Sequence, residues 1–306
     1  MTPTTLRADL ALAGAAFLFG TTFLVMQDAV EDVEPIPFIA ARFAIGALVL
    51  LPVVVVRLSR CSATSKAHND STERLLRHGS LAALALAAGY VFQTTGLQYT
   101  TSSVSAFLTY LLVVFVPLIS AVVLRKPPRA ATAAGVALAV TGLYLLTEGA
   151  GIGFGRGEVL SVGCAVAFAV HILVLDDVAP QHDLLALNAM QFGVAAAILA
   201  VPGALATGGY GFPAEAWLAA LYTGIVVNGA AFGLQVWAQR RVSASRTALV
   251  LMLEPVFAAA LGYVDGERLG AAGAAGAGLI LAGIVVSEWR PTHATTLDQT
   301  VNIKSG

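Results

Sequence analysis

Apolar residues run in long blocks along nearly the whole chain, separated by short polar segments. Each block approaches the roughly 20 residues that a helix needs to cross the hydrocarbon of a bilayer. Ten such spans are predicted, over residues 8–26, 37–57, 76–98, 103–124, 129–148, 157–175, 184–206, 214–237, 243–264 and 270–289. Stretches such as 48–56 and 108–118 do not alternate apolar with polar residues, which excludes the segments of about 10 alternating residues that build a membrane β-barrel. The fold class is therefore an all-α membrane protein.

Composition sharpens this picture. Hydrophobic residues make up 58% of the 306 and charged residues only 11%, with a mean hydropathy of +0.81, more apolar surface than a soluble fold of this length can cover. The net charge of −1 gives no general attraction to nucleic acid, so only its distribution is informative. With both termini on the cytoplasmic side of a cell (inner) membrane, 14 of the 17 basic residues fall in cytoplasmic segments, a bias that sets orientation. Arg156 and Arg268 lie in the opposite loops, and Arg42 lies inside the second span. The acidic loop with Asp28, Glu31, Asp32 and Glu34 is then external. The linker 59–78 reads as a flexible cytoplasmic connection, and the first span as retained rather than as a removed signal peptide. Cys61 falls in that linker and Cys164 within a span, so no disulfide joins them.

The chain also repeats itself. At an offset of 149, Gly14 meets Gly163, Phe19 meets Phe168, Asp28 meets Asp177 and Phe43 meets Phe192. At 137, Leu81–Leu84 meets Leu218–Leu221, and Gly96-Leu97-Gln98 meets Gly233-Leu234-Gln235. One residue later, Val104-Ser105-Ala106 meets Val242-Ser243-Ala244 and Pro117 meets Pro255. Five spans per half is an odd number, so the second half enters the membrane from the opposite side. The expected organisation is a first repeat over 1–150, an inverted second over 151–290 and a cytoplasmic tail over 291–306. Secondary transporters are often built this way, with a solute site near the midplane between the halves.

On these residues the chain resembles the drug/metabolite transporter superfamily, EamA branch. The first half carries Phe19 to Phe23 (FGTTF), Pro37 to Phe43, and Gly96 to Thr101; the second carries Leu253-Glu254-Pro255-Val256, Gly266-Glu267-Arg268-Leu269 and the Gly-rich tenth span ending at Val286. Where that branch often repeats a Gly-Glu-Arg-Leu turn, the first half has Leu124-Arg125-Lys126-Pro127. The resemblance implies a carrier of amino acids, amines or other metabolites, often acting outward.

An ionisable group at membrane depth is costly, at roughly 2.5 to 3.5 kcal/mol on insertion scales, and calls for a reason. Arg42 and Glu254 are the two that stand out. Their counterparts in the other half are the neutral Gln191 and Val116, so neither charge is needed to build its half. They either line or gate the solute path as near neighbours, or form a buried pair that locks the second and ninth spans. Pro117 and Pro255 each remove a helical hydrogen bond, which frees carbonyls for a ligand or merely kinks the helix for packing. His171 could titrate and couple protons, or serve structure alone. Gln93, Tyr110, Gln191, Asn228 and Trp237, with Tyr90, Asn188 and Gln235, could supply polar contacts in a mostly apolar cavity or bond between helices. The glycines at 270, 273, 276 and 278 suit close helix packing, within the chain or in a homodimer.

Rival classes find little support. Lys66, Lys126 and Lys304 all fall outside the spans, which leaves a retinal protein without its lysine. No G-x-S-x-G, H-E-x-x-H or P-loop motif is present to suggest an enzyme, a metal site or a nucleotide cofactor. The sequence thus predicts a secondary transporter without cofactors, with a channel or facilitator-type pore as the alternative.

Overall fold

The computed structural model describes residues 3–26, 33–60, 65–147, 155–264 and 270–287, and every regular element among them is helical. In chain order these are α1 (Pro3–Met26), α2 (Pro35–Arg60), α3 (Ser65–Gly96), α4 (Ser102–Tyr110), α5 (Leu112–Val122), α6 (Ala130–Leu146) and α7 (Arg156–Val178). They continue with α8 (Leu184–Leu205), α9 (Ala214–Tyr222), α10 (Phe232–Gln239), α11 (Ala244–Leu251), α12 (Leu253–Val264) and α13 (Ala271–Ser287). A 3₁₀ turn, Ala179–Gln181, follows α7, and a π-helical segment, Thr223–Ala231, joins α9 to α10. The acidic residues 28, 31 and 32, Cys61, the 266–269 turn and the tail 291–306 lie outside the described residues.

Among the described residues, seven segments are long and apolar enough to cross a membrane: Pro35–Val56, Thr72–Gly96, Val104–Val122, Arg156–Gln181, Leu184–Leu205, Ala214–Gln239 and Ala244–Tyr263. Ala130–Leu146 and Ala271–Ser287 are shorter apolar helices. The outside of the bundle is itself apolar, since Leu48, Leu81, Leu84, Val122, Leu218 and Val285 are all exposed. In water such a surface would aggregate; in lipid it is what the solvent requires.

Helix starts carry their own polar partners. Thr101 Oγ1 accepts from the Val104 N–H, and Asp183 Oδ1 accepts from the N–H groups of Leu185 and Ala186. Each contact satisfies a donor that the first helical turn would otherwise leave unpaired. At the same end as Thr101, the Glu158 carboxylate accepts from the Gly155 N–H and the Thr100 hydroxyl. At the basic end, Arg246 of α11 is paired with Asp9 of α1 through two hydrogen bonds.

Four features depart from the sequence-based expectation. The linker read as flexible is helical from Ser65, because 65–78 contains neither glycine nor proline and α3 extends through it. The ninth span breaks at Met252 rather than at Pro255. The proline ring crowds the carbonyl four residues back, at Leu251, and the chain resets there with a tight bond from the Met252 N–H to the Leu249 oxygen. The fourth span is also interrupted, at Leu111, whose N–H bonds the Leu108 oxygen, but six residues before Pro117, whose ring crowds the Val113 carbonyl. The π-helical segment in the eighth span has no proline, and its cause is tertiary.

That cause is the crossing with α2. A Cβ on Gly46 would sit 2.6 Å from the Cβ of Asn228, and one on Gly224 would sit 2.6 Å from Ile45 Cγ2 and 3.0 Å from the Arg42 carbonyl oxygen. Only glycines allow α2 and the π segment to approach so closely. The wider π turn carries the buried Asn228 to where its Nδ2 donates to the Arg42 carbonyl, at 2.8 Å. Around this crossing, α2 packs on α8, α3 on α7 and α8, α1 on α10 and α12, α7 on α4 and α5, and α6 on α13.

Candidate functional site

The buried centre of the bundle is aromatic. Phe43 of α2 and Phe192 of α8 stack with ring centroids 5.9 Å apart and planes 10° from parallel. Phe43 then meets Tyr90 edge-on at 5.5 Å, and Tyr90 meets Phe168 at 5.2 Å. On the other side, Phe192 meets Phe232 edge-on at 5.4 Å, and Phe232 meets Phe19 at 5.2 Å. Such offset and edge-to-face contacts are the favoured aromatic geometries and make a stiff floor.

Polar groups stand on this floor. Arg42, only 3% exposed, places its guanidinium carbon 4.6 Å from the Tyr90 ring centroid, a cation–π contact. Among the described residues the Arg42 Nε has no hydrogen-bond partner, although it is buried. Glu254 lies in the first turn of α12, directly after the Met252 break, and its carboxylate lies beside the Tyr110 hydroxyl. Tyr110 ends α4, directly before the Leu111 break. Both helix resets thus set down one member of the same contact.

The expectation that Arg42 and Glu254 are near neighbours is not met. Among the described residues they form no ion pair; Arg42 stacks on the Tyr90 ring and Glu254 lies beside Tyr110. The two charges start on α2 and α12, which do not pack directly, and α1 packs along α12 with Gly20 against the Glu254 carbonyl.

A second polar group sits apart from these charges. His171 Nε2 and Gln191 Oε1 are 2.9 Å apart, and Gln191 Nε2 donates to Asn188 Oδ1 at 2.7 Å, all three side chains being buried. Because the amide oxygen of Gln191 can only accept, His171 donates from Nε2. The His171 ring also packs edge-on against Phe232, at 6.1 Å. Replacing His171 by leucine leaves Gln191 Oε1 buried without a donor and is expected to cost about 1 to 3 kcal/mol, read as a lower unfolding temperature; glutamine at this position should recover most of it.

The remaining candidates are dispersed. Asn228 bonds the backbone of Arg42, while its Oδ1 has no partner among the described residues. Gln93 is half-buried one turn beyond Tyr90 on α3. Trp237 lies at the basic end of the bundle, where the Arg241 guanidinium stacks 3.8 Å over its ring and donates to its carbonyl. Gln235 donates to Gln239, which in turn donates to the Ile172 carbonyl, a link between helices. Tyr90 is more central than its sequence context suggests; its only sequence signal is a polar ring at helical spacing from Gln93. No group of three or more metal-ligating side chains occurs among the described residues.

Comparison with known proteins agrees with this architecture. A model of the EamA-like transporter family matches residues 6–148 and 155–289. An uncharacterized transporter of Archaeoglobus fulgidus is 32% identical over 254 residues, 83% of this chain and 76% of the relative. The uncharacterized transporter YoaV of Bacillus subtilis is 23% identical over 272 residues, 85% of this chain and 88% of that one. A protein known from its crystal structure superposes with a TM-score of 0.73 at 22% identity, over 92% of this chain and 96% of that chain, and so shares the fold. The chain belongs to the EamA-like transporter family, within the drug/metabolite transporter superfamily, and is a multi-pass membrane transporter.

Proposed function

We propose that this transporter is a secondary carrier of small organic metabolites, an exporter of amino acids or related zwitterions, that alternates access at a central cavity between two inverted five-helix halves. The observation that carries the proposal is the Arg42, Tyr90, Tyr110 and Glu254 constellation. It offers a guanidinium with an unmatched Nε and a carboxylate whose side-chain partner is a phenol. A solute carboxylate fits the first and a solute ammonium the second, and neither charge has to break an ion pair with the other. Gln93, Asn228 and His171 with Gln191 would add polar contacts or gate the path.

Internal symmetry supports the inverted halves. Phe43 and Phe192, which correspond at the 149-residue offset, stack on each other, and Phe19 corresponds to Phe168. Tyr90 against Phe43 and Phe168, and Phe232 against Phe192 and Phe19, fill like places in the two halves, although Tyr90 and Phe232 are not paired by the 137-residue offset. The helix pairings exchange in the same way. Contacts α2 with α8 and α6 with α13 map onto themselves, α3 with α8 maps onto the π segment with α2, and α7 with α5 maps onto α1 with α12. Ten spans, given by α1 and the nine apolar segments above, with both termini cytoplasmic in a cell membrane, complete this reading.

The test is uptake and counterflow in proteoliposomes against a panel of amino acids, amines and other metabolites, with saturable exchange as the expected result. Conductance without saturation would mark a channel instead. Reporter fusions at residue 68 and at the C-terminus should both read cytoplasmic, and an external signal from either would overturn the orientation.

A further inference from the structure

The end of the bundle that holds the first turns of the apolar part of α3, the 3₁₀ turn and the C-terminus of α10 carries a cationic cluster outside the proposed solute path. His78 Nδ1 and His182 Nε2 are 2.8 Å apart, their rings edge-on with centroids at 5.0 Å. Arg77 Nη2 lies 3.5 Å from His78 Nε2. Arg240 ties the cluster to the adjoining turn, donating from Nε to the Ala179 carbonyl at 2.9 Å and from Nη2 to the His182 carbonyl. Arg74, one turn before Arg77, is exposed.

The field at this point is positive. Burial first, and then the charges of His78, Arg240 and Arg74, hold the His182 imidazole below its ordinary range, and among the described residues no carboxylate acts on it in the opposite sense. Asp183 offsets Arg240 in part, but its Oδ1 is engaged in capping α8. Glu73 and Asp177 are exposed nearby in sequence.

Directly toward the apolar part of α3, the surface changes character. Arg74, Arg77, Leu81 and Leu84 follow one another at spacings of three and four, which places them along one face of the helix. Leu81 and Leu84 are 50% and 54% exposed. A cationic cap above an exposed apolar stripe complements an anionic amphiphile. Basic pockets where helices leave the hydrocarbon are known places for phosphate headgroups.

We propose that Arg74, Arg77, His78, His182 and Arg240 form a headgroup site for an anionic phospholipid whose acyl chain lies along Leu81 and Leu84. The lipid bridges α3, the 3₁₀ turn and α10, three segments otherwise joined here by the histidine pair and Arg240. It does not depend on what the central cavity carries.

The full-length protein in neutral detergent is titrated with phosphatidylglycerol, phosphatidylcholine or inorganic phosphate while its unfolding temperature is followed. Three proteins are compared: wild type, Arg74→Gln/Arg77→Gln, and Lys126→Gln/Arg129→Gln, which removes two exposed charges from a different loop. Phosphatidylglycerol is expected to raise the unfolding temperature of wild type and of the loop variant alike. Its apparent affinity should fall by about tenfold or more in Arg74→Gln/Arg77→Gln, and phosphatidylcholine should have no effect. The single Arg74→Gln, a change at one exposed side chain, should give a smaller loss in the same direction. An equal phosphatidylglycerol response in all variants, or none in wild type, would overturn the site. A response reproduced by inorganic phosphate would replace the lipid by a free anion.

Discussion

Glu254→Gln and Arg42→Gln are each expected to lower solute counterflow by about 10- to 100-fold while leaving the protein inserted and monodisperse. The magnitude is that of one lost hydrogen bond to a charged group, about 1.5 to 3 kcal/mol, removed from the contact with solute. The structure makes the stability readout discriminating. Were the two side chains a buried ion pair, either single change would strand the other charge and destabilise the protein strongly, and the double change would restore it. Instead Glu254 lies beside Tyr110 and Arg42 stacks on the Tyr90 ring, with no ion pair between the two charges among the described residues. Glu254→Gln keeps the volume and removes a charge from membrane depth, so it should leave the unfolding temperature unchanged or raise it. The double variant should be as inactive as the singles. Counterflow restored in the double variant would sink the solute-binding role and leave a structural pair. Tyr110→Phe gives a milder check, since it removes only the hydroxyl.

The apolar blocks made the membrane class legible because hydrocarbon imposes a length and a polarity on every helix that crosses it. The internal offset was informative to the level of single side chains: Phe43 and Phe192, paired on paper, are in stacked contact in the bundle. Pro117 and Pro255 announced two interrupted helices. They did not say where the chain would reset: at Met252 the break adjoins the Leu251 carbonyl that Pro255 crowds, whereas at Leu111 it lies two residues before the Val113 carbonyl that Pro117 crowds. The segment 223–231 reads as ordinary apolar helix, and its π form comes from Gly46 and Gly224 letting α2 press against it, a contact between residues far apart in the chain.

Depth along a helix is readable from sequence, whereas direction across the bundle is not. Arg42 and Glu254 start on helices that do not pack directly, and each meets a tyrosine rather than the other charge. Trp237 and Gln93 illustrate the same limit. A polar or aromatic residue within a span has several faces open to it, and for Trp237 the choice was made by Arg241 one turn away, which stacks on the ring at the basic end. His171 was legible as an intramembrane imidazole, but its partner Gln191 lies on another helix, α8, which packs with α7 against α3.

Gly276→Leu is expected to destabilise the protein by about 3 kcal/mol or more, whereas Gly278→Leu, two residues away on the same helix, should stay within about 0.5 kcal/mol of wild type. The contrast follows from the crossing of α6 and α13. A Cβ on Gly276 would run into the Gly142 carbonyl oxygen and lie 2.6 Å from the Leu146 nitrogen, and one on Gly142 would lie 2.5 Å from the Gly276 carbonyl oxygen. The second contact of the pair is alike, with a Cβ on Gly283 meeting the Gly135 carbonyl oxygen at 2.5 Å. Backbone atoms cannot rotate aside as a side chain can, so the helices must separate. In lipid that separation is not opposed by a hydrophobic driving force, and what is lost is the close packing that held the pair together. A Cβ at Gly278 meets nothing within 4 Å, because that position faces outward. Thermal unfolding of the two variants in the same detergent measures the difference. Size-exclusion chromatography with light scattering adds a second outcome: if two copies associate through the outward face of α13, Gly278→Leu should shift the population to monomer without lowering the unfolding temperature, and Gly276→Leu should do the reverse. Equal stability of the two variants would mean that α6 and α13 do not cross at these glycines.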